Sequence, residues 1–99
     1  MSHFVGMHIG SVTITLAIPG SQSLKDKRHV IRGLLDAIRG KFNVSAAEVG
    51  ELDLWQRATI AVVTVANEAA FVDQVLAKVL DLVESDPGCT VLEIDQERL

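Results

Sequence analysis

Residues 12–42 read VTITLAIPGSQSLKDKRHVIRGLLDAIRGKF, and along this stretch the apolar spacing changes from every second position to every third or fourth. Up to Ile18 apolar residues alternate with polar or small ones, which is the period of a half-buried β-strand. Pro19 and Gly20 then interrupt the pattern. From Leu24 onward the apolar residues fall on one arc of a helical wheel. The stretch therefore predicts a strand followed by a helix over residues 24–41.

The first strand is predicted to extend upstream through a kink. Val5, Met7 and Ile9 alternate in the opposite phase to Val12 and the residues after it. Because a shift of one residue exchanges the two faces of a strand, a bulge or bend at Gly10 would reconcile the two phases. The alternative is that residues 1–8 form an N-terminal extension. We favour one long strand that is kinked at Gly10.

The remaining chain adds three strands and a second helix. Residues 43–49 form a weak, alanine-rich strand and residues 58–66 (ATIAVVTVA) a central one. Asn67 is predicted to cap a helix that ends before Pro87, and residues 90–95 alternate as a final strand. The order βαββαβ predicts a single α+β domain over residues 1–99 with ferredoxin-like architecture. Its four-stranded antiparallel sheet has the order 4-1-3-2 and both helices on one face.

Composition limits the classes of protein to consider. The chain has 99 residues, a formal charge of −4 and one cysteine, Cys89. These values fit one domain in a reducing compartment, and they exclude an internal disulfide. The first ten residues lack the pattern of a signal peptide, and no apolar run is long enough to span a membrane. We expect a cytoplasmic protein that does not bind membranes.

The charge is unevenly distributed. Residues 23–41 carry six cations and two acids, whereas residues 42–99 carry three cations and eleven acids. On the predicted helix, four cations fall on the side away from the core: Lys25, Arg28, Arg32 and Arg39. A local positive surface can attract a polyanion even when the whole chain is acidic.

The turn before this helix is a candidate anion site. Ser23 and Asp26 match a capping box, and the helix start exposes backbone N–H groups. The alternative is a capped helix with a solvated charged face. The predicted anion- or RNA-binding residues are Ser21, Ser23, Lys25, Lys27, Arg28, Arg32 and Arg39. Structured RNA or a ribosomal particle is the expected partner.

Three motifs resemble the YlxP-like family of small bacterial proteins, a family of unknown function. They are residues 18–28 (IPGSQSLKDKR), 42–48 (FNVSAAE) and 53–57 (DLWQR). The resemblance covers the chain from about Ile9 onward and implies a ferredoxin-like domain in the bacterial cytosol. It implies no known reaction. Genes of this family often lie beside genes for translation initiation and ribosome maturation factors, which is an association with RNA and not a mechanism.

The face of the sheet without helices is the second candidate surface. The central strand carries no aromatic residue on which RNA bases could stack, and Val63 and Val65 favour burial against a second subunit. We therefore expect a homodimer. Trp55 is either a plug at the edge of the core or an anchor in an interaction surface. Arg57 is predicted to pair with Glu48 across the hairpin.

Nothing in the sequence forms a recognisable catalytic or metal-binding motif. The histidines, at His3, His8 and His29, have no metal-binding spacing, and Cys89 has no neighbouring histidine or second cysteine. We expect no cofactor and no metal. An enzyme is the third possibility, and a pocket that joins His29 to an acidic residue would favour it.

Overall fold

A computed structural model describes residues 6–99 of the chain. Four strands and two helices follow the predicted order: β1 (His8–Ala17), α1 (Leu24–Lys41), β2 (Ser45–Gly50), β3 (Arg57–Ala66), α2 (Ala69–Glu84) and β4 (Thr90–Arg98). The strands form one antiparallel sheet in the order β2-β3-β1-β4. This topology confirms the α+β ferredoxin-like prediction.

The core lies between the sheet and the two helices. Alternate residues of the two central strands are almost completely buried, including Val12, Ile14 and Leu16 of β1. The helices cover them with one apolar stripe each: Ile31, Leu34, Leu35 and Ile38 from α1, and Val72, Leu76, Val79 and Val83 from α2. The 3.6-residue period of these side chains gives each helix one apolar stripe, and both stripes pack on the same face of the sheet.

The predicted kink at Gly10 is wrong. The pairing of β1 with β3 runs without interruption from His8 to Ala17, and Gly10 is buried in phase with Val12. A Cβ at Gly10 would lie 2.6 Å from Cγ1 of Val72, so α2 packs directly on the backbone there. Ile9 consequently faces away from the helices. Residues 1–5 of the proposed extension lie outside the described part of the chain.

The helix ends agree with the sequence at α1 and differ at α2. Ser23 caps α1 as predicted, because its Oγ accepts a hydrogen bond of 3.0 Å from the N–H of Asp26. Asn67 does not cap α2. Glu68 occupies that position and its side chain makes no capping hydrogen bond. The period of the apolar residues, rather than a cap, defines this helix.

Three loops meet at one end of the domain. The loop after β1 and the loop between β2 and β3 are joined by a hydrogen bond of 2.8 Å from Ile18 N–H to the carbonyl of Gln56. Pro87 and Gly88, in the loop before β4, line the same groove as Pro19 in the loop after β1. Neither helix in residues 6–99 is long and apolar enough to cross a bilayer.

Candidate binding surface

Three neighbouring cations in the first half of α1 have no acidic partner among residues 6–99. Four of the nine lysines and arginines are in ion pairs: Lys27, Arg39, Arg57 and Arg98. Of the other five, Lys41 is the last residue of α1 and Lys78 lies on α2, whereas Lys25, Arg28 and Arg32 are exposed on one side of α1. These three, called the cation face below, extend over roughly 10 Å of helix at 1.5 Å per residue.

Arg39 belongs to the predicted stripe but is tied to the fold. Its guanidinium lies 3.2 Å from the carboxylate of Asp36 and donates a hydrogen bond of 2.9 Å to the carbonyl of Ala46 in β2. The contact with Ala46 ties the last turns of α1 to β2. Arg39 is less available to a ligand than Arg28 or Arg32, because a ligand would compete with its contacts to Asp36 and Ala46.

Ser21 and Ser23 are used in capping. Ser21 is 2% exposed and its hydroxyl donates to the carbonyl of Ser23 at 3.0 Å. Ser23 accepts from Asp26, whose carboxylate in turn accepts from the N–H of Gln22 at 3.0 Å. These contacts correspond to the capped-helix alternative, and they engage both hydroxyl groups, whereas Lys25 and Arg28 face solvent without such contacts.

Lys27 is not on the surface, which corrects its place among the predicted anion-binding residues. Its side chain is completely buried, with Nζ 3.0 Å from Oε2 of Glu48. The ammonium donates to three backbone carbonyls, of Glu51, Leu52 and Arg57, at 2.8–3.2 Å. The three protons of the Lys27 ammonium are matched by these three carbonyls. Oε2 of Glu48 therefore has no hydrogen bond, and it stabilises the ammonium through its negative charge. We call this arrangement the Lys27 clamp.

The position of Lys27 on the helix indicates that it is buried, although its charge groups it with the surface cations in the sequence. It lies three residues after Leu24 and four before Ile31, within the apolar arc of α1. A lysine at such a position must either reach solvent or find a buried acid. Glu48 on β2 is that acid, and through Glu48 and the carbonyl of Arg57 the clamp joins all three motifs that carry the family resemblance.

The Lys27 clamp holds the β2–β3 loop, residues 51–56. Glu51 has a positive φ of 57°, which is uncommon for a residue other than glycine. Its carboxylate pairs with Arg57 at 3.2 Å, so the predicted pair of Arg57 with Glu48 is wrong. Gln56 fastens the other end of the loop, because its side-chain amide donates to the carbonyls of Pro19 and Ser21.

Trp55 projects from this loop and is 57% exposed. The interpretation of Trp55 as a plug for the core is therefore wrong. Val49, Leu52 and Leu54 are also about half exposed. The sequence analysis missed these three because isolated aliphatic residues near a turn carry no distinguishing pattern. Together they give this end of the domain an apolar surface beside the first turns of α1.

The open face of the sheet has two different halves. Val63 and Val65 face outward on β3, as predicted, and are 38% and 53% exposed. On β4 the register places Glu93, Asp95 and Glu97 on the same face, opposite Thr15, Thr13 and Ser11 of β1. No element of residues 6–99 covers either half. The face is aliphatic toward β3 and acidic toward β4.

A groove of about 520 Å³ lies between the start of α1 and the loop before β4, and it contains His29 and Asp26. This is the pairing that would favour an enzyme, but the Asp26 carboxylate is engaged by the Gln22 N–H. Burial, with a smaller effect of Asp86, raises the pKa of the Cys89 thiol to about 11, so the thiol is protonated at neutral pH. No group of three metal-binding side chains occurs among residues 6–99, and His3 lies outside them.

The fold and its surface define a small α+β domain with exposed cations on α1 and an exposed tryptophan on the β2–β3 loop. Residues 9–96 match the family model described as "Protein of unknown function (DUF503)". The chain is 34% identical over 79 residues to the protein named "Uncharacterized protein YlxP" from Bacillus subtilis (strain 168). The matched residues cover 80% of this chain and 86% of that protein. The chain therefore belongs to the DUF503 family, which confirms the YlxP-like resemblance.

Proposed function

We propose that this domain binds structured RNA, free or within a ribosomal particle, through the cation face of α1. The observation that supports the proposal is the distribution of ion pairs. Four of the nine cations are paired with acids; of the five without an acidic partner in residues 6–99, Lys25, Arg28 and Arg32 stand together on one side of α1, whereas Lys41 and Lys78 lie apart from them. Exposed guanidinium and ammonium groups in a row are the groups that contact backbone phosphates.

The size and charge of the cation face fit a small number of phosphates. Its length of roughly 10 Å along the helix, with long flexible side chains, is suited to two or three successive phosphates. Three such contacts predict a slope of roughly −2 to −3 when the logarithm of affinity is plotted against the logarithm of salt concentration. The overall charge of −4 weakens long-range attraction, so binding is expected to be modest and sensitive to salt.

A matched pair of charge-reversal variants tests the proposal. Arg28→Glu/Arg32→Glu changes the cation face, and Lys41→Glu/Lys78→Glu makes the same change of net charge at two exposed lysines outside it. We expect the first variant to lose cosedimentation with ribosomal subunits and binding to a structured RNA at low salt. The second should retain most of both. Equal binding by the two variants would contradict the proposal.

An RNA-binding role places the protein in the cytoplasm, and the single cysteine fits that compartment. The proposal involves neither an enzymatic step nor a cofactor. Groups that contact phosphates position a protein on RNA without any bond being made or broken.

A homodimer through the open sheet face is a second candidate, favoured by the exposure of Val63 and Val65. The acidic row on β4 limits this interface, because face-to-face packing that brought both rows together would be repulsive. We therefore expect the β3 half of the face to form the contact. Val65→Lys should convert a dimer to a monomer in a sizing measurement, and a monomeric parent protein at high concentration would contradict the dimer.

A further inference from the structure

We infer that Trp55 is a stacking platform for an unpaired nucleobase, next to the phosphate contacts of the cation face. The inference rests on the proposed function and adds the class of RNA, namely single-stranded or looped segments. Phosphate contacts alone do not distinguish such segments from duplex. A surface that binds them needs an exposed ring on which a base can lie.

The β2–β3 loop is held rigidly in a position that the core does not require. The buried ammonium of Lys27, the partly buried carboxylate of Glu48 and a positive φ at Glu51 all maintain it. Each is unfavourable by itself, since buried charges lose hydration and this backbone conformation is strained. The apolar side chains that the loop presents remain in water, so these features stabilise a surface and not the interior.

Direct contacts tie the loop to the N-terminal end of α1, the end at which the cation face begins. Lys27 bonds the carbonyls of Glu51 and Leu52, which places the start of the loop beside the first two turns of α1. Gln56, the residue after Trp55, bonds the carbonyl of Ser21 at 2.9 Å, just before α1 begins. Trp55 is thus anchored on both sides to the segment that leads into Lys25 and Arg28.

Trp55 is the one tryptophan or phenylalanine at this end of the domain among residues 6–99. The four described strands contain neither residue, and Phe71, which is 53% exposed, lies in the first turn of α2 at the opposite end. Exposed Leu52 and Leu54 next to the indole can contact the edge of a stacked base or its sugar. An apolar partner protein would use the same side chains, but the free cations favour a partner with regular negative charge.

The single tryptophan allows a direct test, because its fluorescence reports on residue 55 alone. An oligouridylate of about 12 nucleotides and an RNA duplex of the same length are titrated into the protein at low salt, with anisotropy of labelled RNA measured in parallel. We expect the single strand to quench the fluorescence and the duplex to leave it nearly unchanged. Trp55→Leu should weaken single-strand binding about 10-fold and leave duplex binding intact.

Two controls separate stacking from a general loss of apolar surface. Trp55→Phe should retain most of the single-strand affinity, and Phe71→Leu should have no effect. Single-strand binding that is unchanged in Trp55→Leu would overturn the inference while leaving the proposed function in place. Loss of a protein partner by the same variant would then assign the loop to protein binding. Absence of binding to either RNA by the parent protein would reject both proposals.

Discussion

Lys25 and Lys27 lie two positions apart on α1, on opposite sides of the helix, and their environments differ completely. Lys27 is buried against Glu48 and three carbonyls, whereas Lys25 is exposed and has no acidic partner in residues 6–99. The basic character of residues 23–41 therefore has two physical origins. One cation on the inner side of the helix fixes a neighbouring loop, and three on the outer side remain free for a ligand.

Because Lys27 is buried, substitutions on the inner side of α1 should affect stability more than substitutions on the outer side. A buried lysine is stabilised only by the groups around it. Its removal therefore leaves the carboxylate and the carbonyls that it contacted without a partner. A lysine in water can be replaced with little consequence for the fold. The same substitution on the two sides of one helix should thus give very different changes in the free energy of unfolding.

The largest effect is expected for Lys27→Met, which keeps the length of the side chain and removes its charge. Glu48 loses its cation and three carbonyls lose a donor, so we expect the free energy of unfolding to fall by about 3 kcal/mol. Denaturant unfolding measures the change. Arg28→Met is the matched control on the outer side, and its expected effect is below about 0.5 kcal/mol. Equal stabilities of the two variants would contradict a structural role for Lys27.

A double variant sharpens this comparison. In Lys27→Met/Glu48→Leu the unpaired carboxylate is removed as well, and part of the lost stability should return. The carbonyls of the β2–β3 loop remain without their donor. We therefore expect the loop of the folded double variant to be less well ordered than in the parent protein. The anisotropy of the tryptophan emission, which falls as the side chain becomes more mobile, measures this change.

Local patterns in the sequence account for most of the fold. The change of period at Pro19 and Gly20 separates β1 from α1, and the predicted helix over 24–41 has the observed bounds. The predicted kink at Gly10 is wrong because the apolar Met7 and Ile9 do not belong to the core, so no change of phase is needed. They lie toward the open face, while glycine itself belongs to the buried phase, where α2 approaches closely.

The candidate surface could be predicted only in part, because it depends on contacts between distant segments. Helical spacing alone aligns Lys25, Arg28 and Arg32 on one side of α1. The spacing does not reveal that Lys27 meets carbonyls 24 to 30 residues further along the chain. The exposure of Trp55 depends on the same contacts. Tertiary structure therefore decides which charged and aromatic residues remain available for binding.

The smallest effect is expected on the outer side, at Lys25 in the first turn of α1. A cation at this position opposes the helix dipole, and a carboxylate would favour it. Lys25→Glu should therefore raise the free energy of unfolding by about 0.5 kcal/mol while weakening RNA binding. Lys78→Glu, in the middle of α2, is the control and should change neither property appreciably. A decrease in stability for Lys25→Glu would mean that the fold itself requires this lysine, and the distinction between the two sides of α1 would then fail. An increase that accompanies weaker binding would mean that the lysine is kept for its partner at the expense of the helix.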